Sequence, residues 1–213
     1  MNLLESGPAA GVPRLLLAHG AGAPMDSPFM ALMAGLMVER GIAVTRFEFA
    51  YMAARRDGGR RRPPPKAEAL MDAYVAIVRE IAGRAPVGQR LVIGGKSMGG
   101  RVASLVADRL YAEGLIAGLA CLGYPFHPPG TPEKLRTEHL THLQCPALFI
   151  QGDRDPFGTR AEVEAMHLSA QIRIVWAPDG DHDLGPRGAS GFTRKANLAL
   201  AADALARFVR GAA

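Results

Sequence analysis

The chain has 213 residues, 48% of them hydrophobic, and a formal charge of +5 at pH 7. That length suits a single domain, residues 1–213, with a large core, and the composition excludes a disordered chain. No apolar run approaches the ~18 residues that a membrane-spanning helix needs, so no membrane partner is expected.

The first residues, MNLLESGPAAGVPR, lack a basic stretch followed by an apolar one. They therefore do not read as a secretory leader, and a cytoplasmic protein is expected. Cys121 and Cys145 are then expected as free thiols, because a reducing compartment disfavours disulfides.

Residues 14–18 form a short buried-type strand running into His19-Gly20-Ala21-Gly22. Asp26-Ser27-Pro28 marks a helix start, and Phe29, Leu32, Met33, Leu36 and Met37 continue it to a stop at Gly41. Residues 42–49 read as a second strand. Residues 50–65 break the pattern with Gly58-Gly59 and three prolines, and are expected as an irregular loop.

That loop holds Arg55, Arg56, Arg60, Arg61 and Arg62, which carry most of the net charge. A basic loop is not a basic face. It reads as a solvated loop or as an anion-recognition loop beside a site, with Arg60, Arg61 and Arg62 as candidate contacts. Nucleic acid is not expected, since aromatic interleaving and a wider basic surface are missing.

A helix is expected over 66–83, with Leu70, Tyr74, Ile77, Val78 and Ile81 on one stripe. Next comes the most informative stretch, a β-branched apolar run at 91–93 followed by Gly94-Gly95-Lys96-Ser97-Met98-Gly99-Gly100. A helical pattern takes over from Met98 to Glu113. A serine at such a strand-to-helix turn needs a strained backbone, so the residues two away must be nearly free of side chain. Gly95 and Gly99 meet that need as G-x-S-x-G. The same letters resemble the end of a phosphate-binding loop, but that loop needs glycine where Arg90 stands.

Residues 115–122 read as a strand ending at Gly123-Tyr124-Pro125, and Thr131-Pro132-Glu133 as the start of a short helix towards His139. Residues 147–150 form a strand that ends in Gly152-Asp153-Arg154-Asp155-Pro156-Phe157-Gly158. A helix over 159–168 and a strand over 172–176 lead to Asp179-Gly180-Asp181-His182-Asp183, and a helix over about 193–209 closes the chain. Alternating strands and helices predict an α/β architecture, a parallel sheet of six strands covered on both faces. Ligands bind such a sheet at the carboxyl ends of its strands.

A serine hydroxyl is a poor nucleophile until a base takes its proton, and the base needs a third group to hold its tautomer. Ser97 is followed by an acid after a later strand and by His182 after the last one. The acid is Asp155 or its neighbour Asp153, with Asp155 favoured. Asp179, Asp181 and Asp183 surround only one histidine, which is a poor metal set.

This order, with HGAG at 19–22, GDRDPFG at 152–158 and GDHDL at 180–184, resembles the α/β-hydrolase family over nearly the whole chain. The resemblance implies an α/β-hydrolase fold with Ser97 as nucleophile, Asp155 as acid and His182 as base, while the chain departs from the wider fold in lacking the usual N-terminal hairpin and in having a minimal lid. It also implies an oxyanion hole formed by the backbone N–H groups of Ala21 and Met98.

More narrowly, HGAGA, FEFAYMAARR with GRRRPPP, GGKSMGGR, GYPFHPPG and GDRDPFG together resemble a subgroup of small bacterial hydrolases and animal relatives such as testis-expressed protein 30. The expected activity is cleavage of a small ester or thioester, anionic if the arginine loop recognises it, and this chemistry needs no cofactor or metal. His19, Tyr124 and His127 are further candidate pocket residues. His19 also reads as a structural loop histidine and His127 as a surface one, while His139, His142 and His167 read as surface. No role is assigned to Lys96 beside the serine. The chain is expected as a monomer or homodimer. The alternative is a catalytically idle scaffold on the same fold, since the animal relatives include a subunit of a chromatin complex.

Overall fold

Apolar runs too short for helices pair into one sheet, seen in a computed structural model that describes residues 2–9, 11–56 and 63–211. Its strands are β1 (Leu3–Ser6), β2 (Arg14–Ala18), β3 (Ala43–Phe47), β4 (Leu91–Lys96), β5 (Gly118–Leu122), β6 (Ala147–Gly152) and β7 (Ile172–Ala177). The order is β1-β3-β2-β4-β5-β6-β7, with β1 antiparallel to β3 and the other pairs parallel. Every residue of β2 to β6 is buried, as expected of strands covered on both faces.

The helices are α1 (Pro28–Glu39), α2 (Ala50–Arg56), α3 (Met71–Arg84), α4 (Met98–Ala112), α5 (Arg160–Glu164) and α6 (Arg194–Arg210). Side chains of a strand alternate between faces, and the core divides accordingly. Leu15, Leu17 and Val92 pack with Met33 of α1 and Leu205 of α6. Leu16, Ile93 and Phe149 pack with Tyr74 of α3 and Val106 of α4.

The strand order reverses between β2 and β4, because the chain runs outwards from β2 to β3 and then resumes at β4 on the other side. At such a switch point the loops leaving the two strands diverge and open a crevice. Here those loops begin at His19 and at Ser97.

Four expectations are corrected. The sheet has seven strands rather than about six, because Leu3–Ser6 adds an edge strand antiparallel to β3. Its Glu5 carboxylate accepts from Thr45 Oγ1 at 2.8 Å and pairs with Arg14, which pins the short strand. Residues 50–56 are helix, not loop, since Ala, Met and Arg are strong helix formers. Residues 131–136 form no helix. Lys134 N–H reaches only Thr131 O, and a 3₁₀ turn follows at Glu138–Thr141. The helix expected over 159–168 stops at Glu164 after a capping box at Thr159 and Glu162. Arg60, Arg61 and Arg62 lie outside the described residues. No helix among the described residues is long and apolar enough to cross a membrane.

Candidate active site

Ser97 stands between β4 and α4 with φ 52° and ψ −116°, a conformation that costs an L-residue free energy. The flanking glycines make it reachable. A Cβ at Gly95 would lie 2.6 Å from Ala18 O, and one at Gly99 would lie 2.6 Å from His19 O. Any side chain there would push the turn off β2. Ser97 N–H is tied to Leu122 O at 2.9 Å, so the elbow is anchored to β5 as well.

Ser97 is half-buried and lines a cleft of about 780 Å³ together with Ala21 and Met98. Met98 opens α4, where the first N–H groups have no helical acceptor. The N–H groups of Ala21 and Met98 donate to no other group among the described residues. The loop carrying Ala21 is steadied by Tyr51 of α2, whose hydroxyl donates to Ala21 O at 3.1 Å.

After β6, the wholly buried Asp155 accepts from His182 Nδ1 at 2.8 Å, from Gln151 Nε2 at 2.9 Å and from Phe157 N at 2.9 Å. The bond to the carboxylate places the imidazole proton on Nδ1 and leaves Nε2 as the ring's free acceptor. Asp153 instead accepts from Asp179 N at 2.9 Å and does not touch His182. Gly152 permits this arrangement, because a Cβ there would collide with Gly180 O and Asp181 O in the histidine loop.

The His182 ring packs at 4.4 Å on Phe157, which itself lines the Ser97 cleft. No hydrogen bond joins Ser97 Oγ to His182 among the described residues. Asp155 and His182 are therefore joined, while Ser97 stands at the same end of the sheet without a side-chain hydrogen bond to either among the described residues.

Lys96 and Gln151 are structural parts of the site that sequence reasoning missed. Lys96 Nζ donates to His182 O at 2.8 Å and pairs with Asp183 at 3.2 Å, latching the loop after β7 to the end of β4. Burial pushes the Lys96 ammonium down from its ordinary value, opposed by Asp183. Gln151 Oε1 accepts from Tyr124 N at 2.8 Å while its amide nitrogen holds Asp155, so one side chain fixes two loops. A glutamine in an otherwise apolar, wholly buried strand end was the available signal.

Of the expected pocket residues that are described, His19, Tyr124 and His127 do not line the cleft. His19 is buried, and its Nε2 accepts from Phe49 N at 3.2 Å while its Nδ1 donates to Gly20 O at 2.6 Å. Burial pushes its pKa down, which fits this neutral, doubly bonded ring, so it is a structural histidine. Tyr124 is buried with its hydroxyl donating to Arg136 O at 3.0 Å. His127 is buried against Pro128 O and Glu162, neither at the surface nor in the cleft. His139 is also not at the surface. It is half-buried, with Nε2 2.8 Å from Ser104 Oγ.

Of the arginine cluster, Arg56 is engaged internally, donating to both oxygens of buried Glu48 at 2.7 Å and gripping Asp26. Among the described residues, the cations that line the cleft are Lys66, Arg101 and Arg136. The three aspartates around His182 are also engaged elsewhere. Asp179 pairs with Arg154 and Arg187, Asp181 bonds the backbone N–H groups of Asp183 and Gly185, and Asp183 pairs with Lys96.

Residues 11–210 match a family model described as an alpha/beta hydrolase domain. Among solved structures, Est1E from Butyrivibrio proteoclasticus, with ferulic acid bound, is similar at a TM-score of 0.70 and 15% identity, over 97% of this chain and 93% of that one. A dienelactone hydrolase from Anabaena variabilis is similar at a TM-score of 0.68 and 21% identity, over 94% of this chain and 88% of that one. The esterase Est22 is similar at a TM-score of 0.71 and 16% identity, over 98% of this chain and 74% of that one. At such identities the likeness is one of fold.

Proposed function

We propose that this chain, which belongs to the alpha/beta hydrolase domain family, is a serine hydrolase that cleaves a small ester or thioester through an acyl-enzyme. Ser97 Oγ attacks the carbonyl carbon, and its proton passes to His182 Nε2. Asp155 holds the Nδ1–H of the resulting imidazolium and so fixes the ring's orientation. The N–H groups of Ala21 and Met98 receive the oxyanion, aided by the positive end of α4. The carbon–oxygen or carbon–sulfur bond then breaks, and His182 returns the proton to the leaving group. Water attacks the acyl-serine by the same route in reverse roles, releasing the acid and restoring Ser97.

The observation that carries this reading is the setting of Ser97, held at φ 52° in the wall of a cleft beside two backbone N–H groups without acceptors. That the similar structures include the esterase Est22 and Est1E with ferulic acid bound supports the same reaction class. The test is turnover of 4-nitrophenyl esters and acyl thioesters of graded chain length, with Ser97→Ala as the comparison. Turnover that falls by roughly 10⁴ or more in the variant supports the reading. Turnover unchanged by the substitution refutes it.

One observation favours a second reading, a non-catalytic protein on the same fold. Ser97 Oγ and His182 are not hydrogen-bonded to each other, although unliganded sites often hold this contact loosely and tighten it on substrate binding. A protein that hydrolyses none of the panel would support that reading.

A further inference from the structure

Arg101 lies four residues after Ser97 on α4, one helical turn and about 6 Å further along the axis. Its side chain is only 19% exposed and is paired with Glu68 at 2.6 Å, while its Nε is buried without a hydrogen-bond partner. Arg136 enters the same cleft from the segment after β5. Its backbone is fixed, with N–H donating to Phe126 O at 2.8 Å and O accepting from Tyr124 Oη at 3.0 Å. Its half-buried guanidinium makes no hydrogen bond or ion pair among the described residues. Burial, and then the charge of Arg101, push that guanidinium down from its ordinary value.

With Lys66, three cations therefore line the Ser97 cleft among the described residues, against the single carboxylate of Glu68. Two guanidiniums held this close, with one of them unanswered, cost free energy that an anion between them would recover.

We propose that Arg101 and Arg136 form an oxyanion subsite in the Ser97 cleft, so that the substrate is a short acyl compound bearing a carboxylate a few bonds from the scissile carbonyl. This rests on the serine-hydrolase reading and names its substrate class. The spacing of one helical turn limits the linker, because the serine and the arginines must be spanned at once. A planar guanidinium can grip a carboxylate with two parallel N–H···O bonds, and a short linker lets that grip orient the carbonyl towards the N–H groups of Ala21 and Met98.

The test compares 4-nitrophenyl hydrogen glutarate with 4-nitrophenyl pentanoate, esters of similar size that differ in the terminal carboxylate. Arg136→Gln should raise KM for the glutarate about tenfold or more, since a charged hydrogen-bonded pair is lost, and change KM for the pentanoate by about twofold at most. Arg136→Lys should recover part of the loss. A second arm measures binding of monoethyl and diethyl glutarate to Ser97→Ala protein by calorimetry, with and without Arg136→Gln. The monoester should bind more tightly than the diester, and the added substitution should remove the difference. If the wild type hydrolyses neither ester while this binding difference holds, the hydrolase reading fails and the subsite stands. Equal effects of Arg136→Gln on both esters, or equal binding of monoester and diester, overturn the subsite.

Discussion

Tyr74 supports the nucleophile strand through a single oxygen atom, and removing that atom is a quantitative test of the fold around Ser97. The hydroxyl donates to Gly94 O at 2.6 Å and accepts from Gly94 N at 3.0 Å, and the residue is wholly buried. A Cβ at Gly94 would collide with Ala120 O of the neighbouring strand, so the position takes no side chain. Tyr74→Phe keeps the ring packed against Phe47 at 5.2 Å but removes the hydroxyl's bonds to both backbone groups of Gly94. A buried hydrogen bond contributes about 0.5–1.5 kcal/mol net, so losing the two together should cost about 1–3 kcal/mol. The space of one missing hydroxyl oxygen is too small for a water with several partners to compensate. Urea unfolding followed by circular dichroism reads the loss directly. With a slope of about 3 kcal/mol/M, the midpoint should fall by roughly 0.3–1 M. Tyr111→Phe, at a residue 40% exposed, is the control and should stay within about 0.5 kcal/mol of the wild type. A Tyr74→Phe midpoint within about 0.2 M of the wild type would refute the reasoning.

Lys96→Met should lower kcat by about tenfold with little change in KM if His182 is the base as proposed, because the latch on His182 O would then position that ring. A matching rise in KM would assign Lys96 to binding instead. Gln151→Leu should lower kcat in the same way, by freeing Asp155 and Tyr124 N–H together, and should also destabilise by about 1–3 kcal/mol in urea. Burial pushes His139 down from 6.5 to about 4, so the folded protein keeps this ring neutral where the unfolded chain protonates it. Its contribution is fully present above pH 6.5 and is lost as the pH falls from there towards 4. His139→Gln should flatten the urea midpoint over that window, and an unchanged pH profile would contradict the assignment.

The stretch from Leu91 to Ala112 was legible because two periodicities meet at a glycine-flanked serine, which leaves one backbone solution. The sheet's interior strands were legible for a similar reason, being continuous apolar runs with helical patterns between them. The edge strand was not, because LLES is half-exposed and its structure depends on pairing Leu3 with Phe47, far away in sequence. Residues 50–56 were obscured by the glycines and prolines that follow them, although Ala50 to Arg56 are themselves good helix formers.

Within the site, chain order led to Ser97, Asp155 and His182 as candidates, and the structure brings Asp155 and His182 into contact. The roles of Gln151, Lys96 and Arg136 depend on which loops meet above the strand ends, and periodicity does not encode that. Arg101 was accessible in principle, since four residues along a helix from the serine is the same face. Attention to the dense arginine run drew charge arguments towards residues 55–62, where Arg56 proves to be neutralised by Glu48 and Asp26.

The central claim is that Ser97 is an activated nucleophile, and covalent labelling tests it most directly. The protein is incubated with a fluorophosphonate, digested, and read by mass spectrometry. The account predicts one phosphonyl adduct on the peptide containing Ser97, absent in Ser97→Ala and slowed by about 10² or more in His182→Ala. No adduct on wild-type protein, or an adduct that persists in Ser97→Ala, would contradict it.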